Sequence, residues 1–354
     1  MSIVRKIEAG MRGERLGFGP RALLYAASLA YGLGVRARLF SYRSGIFPTH
    51  RIPAKVVSVG NLTVGGTGKT PVTIFLAEFF RKDGKRVAVL SRGYGGSARG
   101  VSVVSDTEGV LMGPAEAGDE PYLMATRLHG VPVVVSPDRV RAGLFALERF
   151  SPHVIILDDA FQHVRLERDI NIVLMDSKEG FGNGYLLPRG VLREPVSGLK
   201  RADFALVKGG KPEGRTLELL REHSVPYIVF SYRPDSLYDI DSGKELPLES
   251  LKGQKVAAVS GIAKPGSFLG SLNELGCIVS SSLEFPDHHS YTDMDSSAIA
   301  EKARGADLVV TTEKDGVKLK AIKKRTPVFA LRVKVDIEKR LLESSLAPVL
   351  KGVL

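Results

Sequence analysis

The sequence predicts an α/β protein in two parts: a mainly parallel sheet with helices on both faces, then a smaller α/β domain. A basic, apolar helical segment precedes both. Three observations predict this. The strand-like run Val56-Val57-Ser58-Val59, with β-branched Val56, Val57 and Val59, passes into a glycine-rich stretch, and Lys69-Thr70 then opens a helical pattern. Near-continuous apolar runs of strand length alternate with amphipathic helical patterns as far as Phe230, as expected for strands buried on both faces. The polar stretch Tyr232–Leu246, with Pro234, Asp235, Asp239, Asp241 and Gly243, breaks the pattern before a second such set begins.

The N-terminal region is distinguished by charge. Ten Lys/Arg stand against Glu8 and Glu14 in residues 1–55, which accounts for +8 of the net +11 over 354 residues. Within it, Ala22–Val35 carries no charge between Arg21 and Arg36. Its fourteen residues fall short of the ~20 a bilayer-crossing helix needs. An apolar helix flanked by arginines, with Tyr25 and Tyr31 at headgroup level, suits the membrane interface; a helix buried against the protein's own core is the alternative. A basic arm also suits nucleic acid, but no nucleic-acid-binding motif accompanies it, so none is expected as partner.

Candidate strands follow at Val56–Gly60, Val87–Ser91, Val101–Ser105, Val131–Ser136, His153–Leu157, Asn171–Met175, Phe204–Val207 and Tyr227–Phe230. Helical patterns cover Val72–Arg81, Glu120–Leu128, Arg139–Phe150 and Thr216–His223. Tyr232–Leu246 reads as a linker or hairpin. The second set has strands Val256–Ser260, Cys277–Leu283, Leu308–Thr312 and Val328–Val333, with helices near Ser267–Leu275 and Ser296–Arg304. The single cysteine, Cys277, excludes an internal disulfide and any cysteine metal cluster, which fits a reducing compartment.

Strand, glycine-rich loop and Gly-Lys-Thr opening a helix is the context of a phosphate-binding loop, so the first domain is expected to be P-loop NTPase-like. Thr63, Val64, Gly65, Gly66, Thr67 and Gly68 would curl backbone N–H groups around a polyphosphate at a helix N-terminus. Lys69 would reach the β- and γ-phosphates, and the Thr70 hydroxyl would hold Mg²⁺. Thr63 stands where the general pattern has glycine, so the first corner of the loop differs. Val154–Leu157 delivers Asp158 and Asp159 to a strand tip, where carboxylates can hold Mg²⁺ directly or through water. Ligands of such sheets bind at the carboxyl ends of the strands.

Other stretches exceed ordinary loop needs: Ser91-Arg92-Gly93-Tyr94-Gly95-Gly96, Gly118-Asp119-Glu120-Pro121, Pro137-Asp138-Arg139, Phe161-Gln162-His163, Leu187–Pro195, Phe285–Tyr291 and Thr311–Asp315. Asp119 also reads as an ordinary helix N-cap. Asp287-His288-His289 invites a metal, but adjacent histidines point to different sides and no third nitrogen or sulfur ligand is near. A histidine held by a carboxylate as a proton relay suits phosphoryl transfer to an alcohol better.

Together these motifs resemble the tetraacyldisaccharide 4′-kinases of lipid A biosynthesis. The resemblance runs in order from Val59-Gly60-Asn61-Leu62 through Gly68-Lys69-Thr70-Pro71 to Thr312-Glu313-Lys314-Asp315, with Ala160 where many members have glycine. It implies transfer of the ATP γ-phosphate, with Mg²⁺, to the 4′-hydroxyl of a tetraacylated glucosamine disaccharide 1-phosphate. It further implies a peripheral protein, expected as a monomer, on the cytoplasmic face of the inner membrane. Residues 1–50 would be the membrane-associating helical region, 51–233 the kinase core, and 234–354 the smaller domain closing over the active site. Carried over by motif, Asp119 would be the base at the acceptor hydroxyl, paired with His288. Lys69 and Thr70 serve phosphate and metal, with Asp158 or Asp159 and Glu194 as metal-site carboxylates. Arg92, Tyr94, Arg139 and Arg193 would hold phosphates or transition-state charge. The competing expectation is a membrane-associated nucleotide switch, an ATPase or GTPase that phosphorylates no lipid.

Overall fold

The structure is a computed structural model that describes residue 11 and residues 17–352; Arg5, Lys6, Glu8, Arg12, Glu14 and Arg15 of the basic arm lie outside the described residues. Its strands are β1 (Lys55–Gly60), β2 (Val87–Ser91), β3 (Ser102–Ser105), β4 (Val133–Val135), β5 (Val154–Leu157), β6 (Ile170–Asp176) and β7 (Phe204–Lys208). They continue with β8 (Tyr227–Asp239), β9 (Glu245–Leu246), β10 (Lys255–Ser260), β11 (Ile278–Glu284), β12 (Leu308–Thr312) and β13 (Val328–Asp336). The main helices are α1 (Phe18–Arg43), α2 (Lys69–Lys82), α3 (Asp119–Arg127), α4 (Arg139–Phe150), α5 (Gly214–Glu222), α6 (Pro265–Glu274), α7 (Asp293–Lys302) and α8 (Glu313–Leu319). The described residues form two compact units, one within 1–92, 134–231 and 337–354, the other within 93–133 and 232–336.

In the first unit, β1 lies between β5 and β6, with β2 on the far side of β5 and β7 beyond β6, all parallel. Such strands are buried on both faces and need apolar residues throughout. Accordingly β2, β4 and β5 are buried at every position. The register sets Ser58 beside Leu157 and Leu90 beside Leu157, so β1, β5 and β2 end side by side. Their loops are therefore neighbours before any side chain is considered. Phe161, just past β5, is fully buried in a cluster with Leu62 and Leu199. Gly60 permits this: a Cβ there would lie 2.7 Å from Phe161 Cβ and from its backbone N.

Helix α1 spans 26 residues, well past the apolar Ala22–Val35 run, because Arg36, Arg38 and Arg43 are good helix formers. It docks on the Tyr185–Arg193 loop. Ser28 Oγ donates to Leu186 O (2.8 Å), Tyr31 Oη to Arg193 O (2.8 Å) and Arg38 to Gln162 O (2.9 Å). Arg189 stacks 3.4 Å from the Tyr185 ring centroid and 4.6 Å from that of Tyr25. Leu23, Leu33 and Phe40 are left 72, 67 and 65% exposed, and Leu29 half exposed. No helix among the described residues is long and apolar enough to cross a membrane.

In the second unit, β10 lies between β11 and β12, and β13 borders β12, all parallel. Ser260 pairs with Glu284, and Val259 with Thr311, so β11, β10 and β12 also end together. Strand β8 runs on through Pro234 to Asp239 and pairs antiparallel with β9, making the hairpin form of the 232–246 stretch. Its turn is closed by Asp239 Oδ1, which accepts from the Asp241 and Ser242 amides.

Candidate active site

In the first unit the β1 loop leads into α2 through Gly68, whose left-handed backbone (φ 81°) caps the helix. Gly65 is also left-handed (φ 114°), with open space where a Cβ would stand. Thr63 bridges to Leu192 and the Val64 amide donates to Val191 O (2.8 Å), so the Leu187–Pro195 segment braces the loop's first corner. Asn61 Nδ2 donates to Thr67 Oγ1 at 3.1 Å, fixing its far side. Thr70 is buried at the start of α2.

The two strand-end aspartates have different environments. Asp158 is 1% exposed and accepts from Thr73 Oγ1 and Ser91 Oγ, both at 3.1 Å. Asp159 turns outward on a left-handed backbone (φ 46°), a conformation uncommon outside glycine that asparagine, aspartate and histidine adopt more readily than other residues. Its carboxylate lies 3.6 Å from Lys69 Nζ and 3.0 Å from Arg193 Nη1. Glu194 is equally buried and accepts from Arg201 Nη2 (2.6 Å) and Gln162 Nε2 (2.9 Å). Arg139 follows Asp138, the N-cap of α4, and is buried, donating to Ser136 O at 2.6 Å. Burial pushes its pKa down to about 10, Asp158 and Asp159 pulling up and Arg92 adding to the lowering; it stays a cation at neutral pH. Lys69, Arg193 and Arg139 are thus gathered near Asp158 and Asp159, with exposed Arg92 close enough to affect Arg139. All are oxygen or cationic groups, a set suited to a hard cation and to phosphate oxygens.

The second unit assembles a separate group at the shared end of β10, β11 and β12. Gly118 turns with φ 89°, where a Cβ would sit 2.5 Å from Tyr94 O, and α3 then starts at Asp119. Asp119 is therefore the first helical residue, with Gly118 as N-cap, and the N-cap reading of Asp119 is corrected. His288 follows β11 in a left-handed conformation (φ 60°). Its Nδ1 lies 3.7 Å from Asp119 Oδ2, and the exposed Tyr94 ring meets it edge-on at 5.7 Å. The adjacent His289 instead pairs with Asp295 (3.2 Å) and stacks on Phe285. Burial alone would raise the Asp119 carboxyl, but contact with His288 and the charges of Lys318 and Lys314 outweigh it and hold the group below its ordinary value.

The family model for tetraacyldisaccharide-1-P 4′-kinase, LpxK, matches residues 20–351. The chain belongs to the tetraacyldisaccharide 4′-kinase family. Among LpxK relatives, the tetraacyldisaccharide 4′-kinase of Desulfatibacillum aliphaticivorans is 44% identical over 332 residues, 90% of this chain and 89% of that protein. The one from Syntrophus aciditrophicus is 43% identical over 90% of this chain and 88% of that protein. A crystal structure of LpxK from Aquifex aeolicus in complex with ATP superposes with a TM-score of 0.77 at 36% identity, covering 94% of this chain and 99% of that one.

Two lysines beside Asp119 and His288 had no role in the sequence reading: Lys314, there only as part of the Thr312–Asp315 motif, and Lys318, which lies beyond it. Helix α8 opens at Thr312, whose hydroxyl accepts from the Asp315 amide, and carries Lys314 and Lys318 one turn apart. Lys318 Nζ lies 3.7 Å from Asp119 Oδ2 and 3.4 Å from buried Asp315. Lys314 Nζ lies 3.5 Å from Glu120, 3.0 Å from Asp287 and 3.2 Å from His288 Nε2. The i,i+4 spacing after a strand end was the available signal. Glu313 is tied to Arg127 (2.8 Å) and Arg332 (3.1 Å), anchoring α8 to the end of α3.

His163 gives a pH prediction. Burial, with the charges of Arg139, Arg168 and Arg38, pushes its pKa down to about 4 from 6.5. The unfolded chain then binds the extra proton between those values, so stability rises with pH across that window and is lost on acidification. Urea midpoints at pH 5 and 7 are expected to differ less in His163→Asn than in the parent. An equal difference in both would show that His163 contributes nothing.

Proposed function

We propose that this protein transfers the γ-phosphate of ATP to the 4′-hydroxyl of a tetraacylated glucosamine disaccharide 1-phosphate. The observation that supports the reading is the 3.7 Å approach of His288 Nδ1 to Asp119 Oδ2 in a chain of this family: a carboxylate beside an imidazole suits proton removal from an alcohol, and a nucleotide switch has no use for one. Lys69 and Arg139 would neutralise phosphate charge, with Arg92 and Arg193 as further donors, since phosphoryl transfer depends on positioning and electrostatics. Asp119 would take the proton of the acceptor hydroxyl. Thr70, Asp158, Asp159 and Glu194 supply oxygen donors that fit Mg²⁺; among the three carboxylates Asp159 is the one left partly exposed, whereas Asp158 and Glu194 are buried and accept hydrogen bonds from Thr73, Ser91, Gln162 and Arg201. When bound there, Mg²⁺ would supply charge neutralisation of the phosphate oxygens. Labelled ATP and the tetraacyldisaccharide 1-phosphate provide the test. Label on the lipid is expected; free phosphate alone would favour the switch.

Four acyl chains keep such an acceptor in the bilayer, since each exposed CH₂ costs about 0.8 kcal/mol. The exposed Leu29, Leu33 and Phe40, spaced four and seven residues apart, share one stripe of α1 and supply a surface for a membrane. We place the protein as a monomer on the cytoplasmic face of the inner membrane, seated peripherally through α1. Leu29→Glu with Leu33→Glu is expected to weaken sedimentation with anionic vesicles at least ~tenfold, since each buried leucine is worth about 1.5–3 kcal/mol. Unchanged sedimentation would refute this seat.

A further inference from the structure

His288 has two ring nitrogens with different neighbours. Nδ1 faces Asp119 Oδ2 at 3.7 Å, and Nε2 faces Lys314 Nζ at 3.2 Å. A lysine ammonium has three donors and no acceptor, so across 3.2 Å the ring nitrogen must be the acceptor. A proton on Nε2 would oppose two N–H groups at hydrogen-bond distance. The alternative acceptor for such a proton, Asp287 Oδ2, is 4.0 Å away, too far for a hydrogen bond. Lys314 is itself fixed by Asp287 Oδ1 at 3.0 Å and Glu120 at 3.5 Å, and its side chain is 18% exposed. The Asp287 side chain also accepts from the His288 amide at 3.0 Å, so the same carboxylate fixes both the lysine and the loop that presents the ring.

We propose that Lys314 is a positioning residue that holds His288 as the Nδ1–H tautomer, so that an N–H faces Asp119 Oδ2 from 3.7 Å and the ring is not the acceptor of its proton. This runs against the relay expected from the sequence. In this tautomer His288 steadies the Asp119 carboxylate and aims it, and the hydroxyl proton stays with Asp119 until it reaches solvent. Because phosphoryl transfer has a loose transition state, the base is needed for orientation and late proton capture more than for early activation, which an acidic carboxylate can supply. The hydroxyl's part in this rests on the proposed kinase reading; the tautomer does not.

The test is ¹⁵N NMR of the full chain labelled at histidine, with His288 assigned by the signal lost in His288→Gln. The ring is expected to show a protonated Nδ1 and an unprotonated Nε2. Lys314→Met should shift it toward Nε2–H, and Lys314→Arg should restore the parent pattern. Nε2–H in the parent, or an unaltered ring in a folded Lys314→Met, overturns the proposal. The parent measurement stands alone if Lys314→Met does not fold. In lipid labelling, Lys314→Met should lose about tenfold in kcat, the equivalent of one pKa unit of differential stabilisation, with KM for ATP unchanged. A parent protein with the stated tautomer that labels no lipid would sink the kinase reading and leave this inference standing.

Discussion

Asp119→Asn is expected to lower kcat for lipid phosphorylation by about 10²–10⁴-fold, the range for removing a positioned general base, while ATP affinity is retained. Asparagine keeps the side chain's shape at the first position of α3, beside His288 and Lys318 at 3.7 Å each, but it cannot take a proton. Folding should be little affected, since Lys318 keeps its second carboxylate, Asp315, at 3.4 Å. Single-turnover labelling with the parent and variant at matched thermal midpoints is the measurement. Turnover within about threefold of the parent would remove Asp119 from the chemistry. Because its pKa sits below the ordinary carboxylate value, Asp119 stays ionised throughout the neutral range. Any acid limb of the rate found near pH 6 would therefore belong to another group.

Lys69→Met is expected to be the more damaging change in the first unit, costing about 10³-fold in kcat/KM, comparable to losing a preorganised donor to developing charge. Methionine fills the same space along α2 and preserves its helix propensity, so the loss isolates the ammonium. Asp159 would keep Arg193 at 3.0 Å, and the loop would keep the brace from Leu192 and Val191. Equilibrium binding of ATP with and without Mg²⁺ would accompany the rate measurement. A variant that phosphorylates lipid within about tenfold of the parent would show that the lysine does not act on the phosphates.

The sheet strands were legible because a strand buried on both faces has to be apolar throughout; Val87–Ser91 and Leu308–Thr312 match to the residue. Helix α4 also matches, its start written in Asp138, whose side chain accepts from Val140 and Arg141. Strand β8 was cut short at Phe230, because Pro234 and Asp235 read as a break while pairing with β9 sustains the strand. Helix α8 was missed altogether: seven residues are too few for periodicity, and tertiary ties through Glu313 stabilise it. At the candidate site, Lys69, Asp159 and Arg193 come together in one unit and Asp119 and His288 in the other; motif order does not give the second pairing, since Asp119 lies between Lys69 and Asp159 in the chain. The division of labour between Asp158 and Asp159, and between His288 and His289, depends on backbone turn and neighbouring rings, which adjacent letters do not encode.

Asp159 and His288 both occupy left-handed backbone. A redesign that scores each position by conformational comfort would prefer glycine at both, and would gain on the order of 1 kcal/mol at each by removing the Cβ strain. Under the proposed kinase reading, thermal robustness and phosphorylating power are set against each other at these two positions. Libraries selected for heat resistance alone should drift toward inert proteins there first.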